Sequence, residues 1–318
     1  MAGISNEIEL GRAEPDVLDT AYIWPWQKEF LVVLAVNVRA HMLEFTDLDD
    51  DKRKLVLRPN NGSLLKPQFI QGSLSFAIET SGFTESEVDA AMGETAFLYL
   101  DVSHRWRSLK MDYYYESYRG FYIEGQLKTD GTHFVFPDIE TRRYGLSATY
   151  YGSNYPFRSK LFYAGPWTSL EPAPKRKGAT ALYTLMLDSY SIRNLPYDPA
   201  TLSLIQNGDL INFRRAEFYT LAAKAGGILY NYGPSGFAEI GLTLGAGVFR
   251  QNFSDGGAAE KSTEAAFATS IYADMGLRRG RWLLGMMLRN DLVNPSFKTT
   301  RFNLQSTLIS LYVGRRFD

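Results

Sequence analysis

The sequence of 318 residues contains no cysteine. This excludes a disulfide-stapled scaffold, a thiolate metal site and a cysteine nucleophile, and it is compatible with an envelope protein. The chain also lacks any continuous apolar run of the about 20 residues that a membrane-spanning helix needs. Its net charge is −1, so no electrostatic argument favours nucleic acid as a partner.

Alternation of apolar and polar residues is what the sequence has in abundance. Between Phe237 and Arg250, in FAEIGLTLGAGVFR, nearly every second residue is apolar, and the residues between them are small or polar. A period of two predicts a β-strand, because successive side chains leave a strand on opposite faces. One apolar face of about ten residues, backed by a small and polar face, is typical of a transmembrane barrel strand.

The same alternation recurs along most of the chain, and we therefore predict an all-β protein, a transmembrane antiparallel up-and-down β-barrel. A single-chain bacterial barrel has an even number of strands, so we expect about twelve, with fourteen as the alternative. Residues 123–141 read as a polar loop, and residues 192–214, with two prolines and a glycine, read as a long outer loop. Thirteen segments carry the strand pattern: 30–45, 54–58, 69–79, 95–103, 109–122, 143–151, 158–163, 179–191, 217–230, 237–250, 265–278, 282–289 and 303–317.

The overall composition fits this class. Mean hydropathy is only −0.22, because lipid-facing and inward-facing residues cancel in any window of a barrel sequence. Aromatic residues make up 14%, with 20 Tyr and 20 Phe, which suits aromatic girdles at two membrane interfaces.

Two regions are expected. Residues 1–28 are acidic and irregular, and we predict an N-terminal periplasmic tail there, followed by the outer-membrane barrel over residues 29–318. No apolar signal-peptide core follows Met1. We expect a bacterial outer-membrane protein whose signal peptide has been removed.

Charged residues on the register opposite the apolar one are candidates for the barrel lumen. They form either a mutually paired network that fills the lumen or the wall of a hydrated pore. A barrel of about twelve strands lies between the filled eight-stranded and the open sixteen-stranded cases, and we favour the filled or narrow lumen. The lumen-facing candidates are Arg39, Glu79, Asp101, Arg105, Lys110, Asp112, Glu116, Asp188, Lys224, Glu239, Asp274, Arg278 and Arg289.

Histidine is scarce, with three residues at positions 41, 104 and 133, and no two of them have the spacing of metal ligands. We place His41 on the polar face of the first strand, His104 in a turn and His133 in a loop. A lipid-hydrolysing barrel needs a Ser–His pair facing one rim, whereas Ser103 and His104 are adjacent and point to opposite faces of a strand. We expect no catalytic residue, no metal and no cofactor, and we expect that the chain is not an enzyme.

Several short motifs resemble those of one family of bacterial outer-membrane barrels. Leu57-Arg58-Pro59-Asn60 is similar to its Y-x-P-N element, and Tyr118-Arg119-Gly120-Phe121-Tyr122 to its Y-x-K/R-G-F-Y element. Residues 137–146 and 154–159 follow its next hairpin, and Val313 to Phe317 resembles its V-G-Y-R-F ending, whereas residues 175–179 fit it poorly. The family that these motifs resemble is the domain of unknown function DUF4421. The resemblance implies an outer-membrane barrel and supplies no activity.

The last strand carries a further signal, because Ile309, Leu311, Val313 and Phe317 share one register and end in an aromatic residue followed by Asp318. We expect the barrel-assembly machinery to read this strand. Outer-membrane lipids are the other expected partners, and a homo-oligomer is possible.

Three functions remain open on the sequence. The first is a structural or narrow-channel, porin-like barrel. The second is a lipid-acting barrel enzyme of the phospholipase or deacylase type. The third is a soluble β-barrel carrier, which would turn its apolar register inward.

Overall fold

The computed structural model describes residues 30–47, 49–71, 74–81, 91–106, 108–152, 176–196, 199–211, 213–233, 236–254, 260–293, 296–297 and 300–317. Most of these residues lie in antiparallel β-strands, as predicted. The strands are β1 (Phe30–Asp47), β2 (Lys54–Arg58), β3 (Ser63–Gln71), β4 (Leu74–Ser81), β5 (Ala96–Trp106), β6 (Leu109–Leu127), β7 (His133–Tyr151), β8 (Arg176–Arg193), β9 (Arg215–Gly233), β10 (Gly236–Ser254), β11 (Glu260–Arg279), β12 (Trp282–Val293), β13 (Ser296–Phe297) and β14 (Thr300–Phe317).

Helical structure in the described part is slight. The connection between β8 and β9 contains a short helix α1 (Pro199–Ser203) and a 3₁₀ turn (Gly208–Leu210). Among the described residues, no helix is long and apolar enough to cross a bilayer.

Twelve of the strands close into a ring. Each pairs with its neighbours in the order β1, β3, β4, β5, β6, β7, β8, β9, β10, β11, β12 and β14. The ring closes where β14 returns to β1, with Phe30 opposite Phe317 and Asp47 opposite Thr300. The predicted up-and-down barrel of about twelve strands is confirmed, and β2 and β13 are short strands added at one end.

The apolar register faces outward. In β10 the side chains of Ile240, Leu242 and Leu244 are exposed, whereas Glu239 and Thr243, on the alternate register, are buried. The same alternation runs along β1 and β8. A soluble barrel would bury its apolar register, so this exposed belt is the surface that meets lipid, and the soluble carrier does not fit.

The two ends of the barrel differ. Phe30 and Phe317 lie at one end, called here the terminal end, where four of the five connections between successive strands are two residues long. The opposite end, called the loop end, carries the connection between β8 and β9 and that between β4 and β5. Outer-membrane barrels have short periplasmic turns and longer extracellular loops, which places the loop end outside the cell.

The ring changes its strand number part-way along its axis. β1 pairs with β3 up to Val38 and with β2 from Leu43 onward. β6 pairs with β5 up to Arg119 and with β2 at Tyr122 and Ile123. Strands β3, β4 and β5 therefore end at this level of the barrel. Toward the loop end, β2 alone lies between β1 and β6 in their place. This place is called here the strand-exchange junction.

Hydrogen bonds hold the junction. The hydroxyl of Thr95 accepts from the backbone N–H of Asn60 at 2.8 Å and donates to the carbonyl of Gly120 at 2.9 Å. The amide of Asn60 donates to the carbonyl of Gly93 at 2.8 Å. Gly120 has a φ of +96° at a register shift of β6, a conformation that side chains other than glycine rarely adopt.

Inside the barrel, aromatic rings cover glycines on the neighbouring strand. In each case the ring and the glycine are directly opposed across the strand pair, and a Cβ on the glycine would collide with the ring. The missing side chain makes room for a large one, which keeps the inner wall packed. The pairs are Gly145 with Tyr114, Gly178 with Tyr230, Gly241 with Tyr272, Gly276 with Phe237 and Gly285 with Tyr312.

Several predicted boundaries were wrong. Residues 123–141 are no long loop, because β6 and β7 continue to a turn at residues 128–132. The predicted hairpin partner of β7, residues 158–163, lies outside the described residues, and β6 and β8 occupy both edges of β7. His104 lies in β5 and not in a turn, and His133 is the first residue of β7. Residues 1–28, the predicted tail, lie outside the described part, so that domain division stays a prediction.

Candidate functional site: the barrel interior

The interior contains most of the predicted lumen residues. Eleven of the thirteen face inward, where they are buried, line an internal cavity or hydrogen-bond to interior groups. They are Arg39, Glu79, Asp101, Lys110, Asp112, Glu116, Asp188, Lys224, Glu239, Asp274 and Arg289. The side chains of Arg105 and Arg278 lie outside the described part.

The first interior cluster surrounds Arg39 at the strand-exchange junction. Its guanidinium donates from Nε and Nη2 to the two carboxylate oxygens of Glu79, at 2.9 and 2.8 Å. A third donor, Nη1, lies 3.5 Å from Glu116, which also accepts from the Tyr118 hydroxyl at 3.0 Å. The ring of Tyr99 covers the guanidinium at 4.4 Å. The charges of this cluster are thus matched by partners, as burial requires.

A second cluster joins β6, β7 and β8. Arg143 hydrogen-bonds to Asp188 through Nε, at 2.7 Å, and through Nη2. The Tyr114 hydroxyl donates to the same carboxylate at 3.0 Å, and the ring of Tyr114 lies 5.3 Å from the guanidinium. The second carboxylate oxygen of Asp188 has no hydrogen-bond partner among the described residues.

A third cluster crosses from β9 to β12. The ammonium of Lys224 donates to the Ser270 hydroxyl at 2.9 Å, and that hydroxyl donates to Asp291 at 2.6 Å. Arg289 donates from Nε to the other oxygen of Asp291, also at 2.6 Å. One carboxylate therefore binds two cations, Arg289 directly and Lys224 through the Ser270 hydroxyl.

The lysine and two carboxylates on β6 do not form one group. Lys110 pairs with Asp112 at 2.7 Å, but the cation nearest to Glu116 is Arg39. Alternation places residues 110, 112 and 116 on one face, but only the folded ring brings Arg39 of β1 to Glu116.

Three further interior charges escaped the sequence analysis: Lys66, Arg143 and Asp291. Arg143 begins a segment that was recognised as a strand, and its alternation with residues 145 and 147 is the signal that would have found it. Asp291 lies beyond the predicted end of its segment. Lys66 lies in β3, ahead of the predicted start of its strand at residue 69.

The second and third clusters border a polar cavity of about 230 Å³, here called the chamber. A second space of about 140 Å³ adjoins it and shares Lys110, Tyr114, Arg143 and Arg289 in its wall. Toward the terminal end the chamber contains a pair of carboxylates, Glu239 and Asp274, at directly opposed positions of β10 and β11.

One carboxylate of this pair is bound by an aromatic hydroxyl. Asp274 is buried and accepts from the Tyr312 hydroxyl at 2.7 Å. The described residues contain no group of three or more His, Asp or Glu that could hold a metal ion.

His41 is buried and stacks on Tyr118 at 4.4 Å, with its Nε2 3.3 Å from the Tyr190 hydroxyl.

Apolar residues close the loop end of the interior. The connection between β8 and β9 buries Leu195, Ile205, Leu210, Ile211 and Phe213, and they pack on inward-facing residues of the wall. The ring of Phe213 lies 4.8 Å from that of Phe253 and 6.0 Å from that of Phe45. This segment, residues 194–214, is called here the plug.

Polar contacts tether the plug to the rim. Arg53, in the turn between β1 and β2, donates to Asp47 and to Asp209 of the plug, both at 2.6 Å. The hydrogen bond and charge of Asp209 raise the pKa of Arg53. Gln126 and Gln206 exchange two hydrogen bonds of 2.9 Å. The plug is therefore attached to two different parts of the wall.

At the terminal end the inner wall is apolar as well. Leu31, Val33, Leu182, Ile228 and Leu283 are buried there in one cluster. The polar chamber thus lies between two apolar regions of the lumen.

The closed antiparallel ring and its exposed apolar belt make this chain a transmembrane barrel of the outer-membrane class. Residues 17–161 match the family described as Domain of unknown function (DUF4421). The resemblance inferred from the sequence is confirmed over this stretch. Two of the DUF4421-like motifs, residues 57–60 and 118–122, meet at the strand-exchange junction. No curated protein sequence matches the chain.

Solved structures with some likeness are outer-membrane proteins. The outer membrane protease OmpT from Escherichia coli has 8% identity and a TM-score of 0.38, covering 92% of this chain and 97% of its own. Ail, the attachment invasion locus protein of Yersinia pestis, has 13% identity and a TM-score of 0.28, covering 66% and 97%. OmpT of Vibrio cholerae has 9% identity and a TM-score of 0.31, covering 93% and 100%.

One expectation needs correction. We inferred from the barrel pattern and the missing motifs that the chain is not an enzyme, and that inference does not hold, because the outer-membrane proteins with some likeness to this chain include a protease. A barrel architecture therefore does not separate enzymes from other outer-membrane proteins.

Proposed function

We propose that this protein is a structural outer-membrane barrel with a filled lumen that does not conduct ions at rest. The plug is the observation that supports this most directly. Five of its apolar side chains are buried against the wall at the loop end, and Arg53 ties it to the rim. Ions would have to cross this apolar region without water, which is costly for any charge.

The charged clusters support the same function. Arg39 and Arg143 are each bound to a carboxylate of another strand, whereas Arg289 is bound to Asp291 of its own strand. The first two pairs join strands of the wall, and all three leave these guanidinium groups neutralised rather than free to line an aqueous pore. Buried pairs are costly to break, so they favour one arrangement of the wall.

A gated narrow channel is the second candidate, and the chamber favours it. A polar space of about 230 Å³ between two apolar regions would serve as an internal site of a conduction path once the plug moved. The two candidates differ in whether moving the plug produces a current.

Conductance in planar bilayers tests the proposal. We expect no steady current from the unaltered protein, and a large steady conductance would contradict the filled lumen. Phe213→Asp places a charge among Phe45 and Phe253 and should displace the plug. Leu204→Asp is the matched control, because Leu204 belongs to the same segment and is 72% exposed. A current in the first variant alone supports the gated channel.

A further inference from the structure

A groove of about 580 Å³ lies on the outer surface of β7, β8 and β9. Its centre is Ser189, a small residue that is directly opposed to Tyr144 on one neighbouring strand and to Tyr219 on the other. Two long side chains on either side of a short one leave a trough along β8. This groove is called here the Ser189 trough.

The chemistry of the trough changes along the strand. Toward the middle of the belt its floor is Leu187, flanked by Leu146 and Leu221. Toward the loop end the floor continues as Ser189 and Ser191. Beyond them, on the same outward register, comes Arg193.

The distance from Leu187 to Arg193 is about 20 Å along an extended strand. The trough therefore begins with apolar walls, passes between tyrosines and ends at a cation. This order matches a molecule that has an apolar chain and an anionic head group.

The charges at the loop end of the trough are unbalanced. Arg119 pairs with Asp138, Arg142 with Glu140, and Arg215 with Glu217. Arg193 and Arg250 also lie on this outer edge, and the described residues supply neither with an ion pair. Arg250 lies directly opposite Tyr219, at the wall of the trough. Arg193 is directly opposed to Glu140, but that carboxylate is bound to Arg142. Two guanidinium groups are thus left without a carboxylate of their own at the level where lipid head groups lie.

We propose that the Ser189 trough binds one acyl chain of a phosphorylated outer-leaflet lipid, the lipid A part of lipopolysaccharide, and that Arg193 and Arg250 bind its phosphate. Guanidinium groups suit phosphate because they offer several donors in one plane. The loop end faces outward, so the lipid belongs to the outer leaflet. This inference rests on the outer-membrane placement of the barrel and is independent of whether the lumen conducts.

Native mass spectrometry of the delipidated, refolded barrel tests the proposal. Purified lipid A should bind in a single copy, and lipid A without its phosphates should bind at least tenfold more weakly. Ser189→Trp fills the trough and should weaken binding by a similar factor. Arg250→Glu and Arg193→Glu should do so without altering the apolar floor.

Two controls accompany these variants. Ala40→Trp adds the same ring at an exposed small residue of β1, on the opposite side of the ring, and Lys54→Glu reverses a charge at an exposed residue of β2. Both should bind lipid A as the unaltered protein does. Heat-modifiable gel migration identifies the folded fraction of every variant. If Ser189→Trp does not fold, Arg193→Glu and Arg250→Glu still test whether the phosphate is bound.

Two results would overturn the proposal. One is unchanged lipid A binding by the folded arginine variants. The other is binding of phosphatidylglycerol with the same affinity and the same dependence on Arg193 and Arg250, which would assign the trough to phospholipid instead.

Discussion

The guanidinium of Arg39 and the carboxylate of Glu79 form two parallel hydrogen bonds across the width of β3. Arg39 follows Val38, the last residue of β1 that pairs with β3. The ion pair therefore holds the hairpin of β3 and β4 to β1 at the point where the backbone pairing ends. Both side chains are buried, so neither charge has water as an alternative partner.

Arg39→Met should lower the free energy of unfolding by about 3–5 kcal/mol, because Glu79 stays buried without its cation. Equilibrium urea unfolding in lipid vesicles measures this. Arg119→Met is the control, since its pair with Asp138 is exposed and should cost at most about 1 kcal/mol. The double variant Arg39→Met, Glu79→Met should recover stability, and a double variant as unstable as the single one would contradict the explanation.

Gly145→Ala should destabilise the barrel by about 1–3 kcal/mol, because the added methyl group overlaps the ring of Tyr114. Unfolding in vesicles again gives the value. Gly227→Ala serves as the control, since the atom nearest to its new Cβ is a carbonyl oxygen at 3.4 Å. Equal losses at the two glycines would show that the overlap with the Tyr114 ring does not decide the effect.

Leu242→Arg should impair insertion by about 2–4 kcal/mol, because the side chain lies outward in the middle of the apolar belt. Leu277 is also outward, but it lies near the turn between β11 and β12. Leu277→Arg should therefore cost only about 0–1 kcal/mol. Folding yield into vesicles compares the two, and a larger loss at Leu277 would refute the assigned depth.

Thr95→Val should destabilise the strand-exchange junction by about 1–3 kcal/mol, because it removes the partner of two backbone groups, the N–H of Asn60 and the carbonyl of Gly120. Hydrogen exchange at Asn60 should accelerate with it. Thr263→Val, at an exposed position of β11, should stay within about 0.5 kcal/mol of the unaltered protein. Unchanged exchange at Asn60 would argue against this role of Thr95.

Much of the fold followed from periodicity. Residues 237–250 were recognisable as a lipid-facing strand because one face of them is apolar throughout, and the same reasoning placed Arg39, Lys224 and Asp274 inside. The turn between β6 and β7 was missed because the bulged part of β6 interrupts the alternation. Lys66 was missed because Pro67 follows it, and a proline usually argues against a strand. In the structure, Pro67 nevertheless lies within β3, opposite Leu34 of β1.

The sequence by itself determined the class of the barrel, its approximate strand number and which face of each strand meets lipid. These features depend on local alternation, which is written in neighbouring residues. The tertiary structure decided that Arg39 pairs with Glu79, that β2 replaces three strands, that the plug fills the loop end and that Ser189 lies between two tyrosines. Such relationships join residues far apart in the chain, and only ring closure and register bring them together.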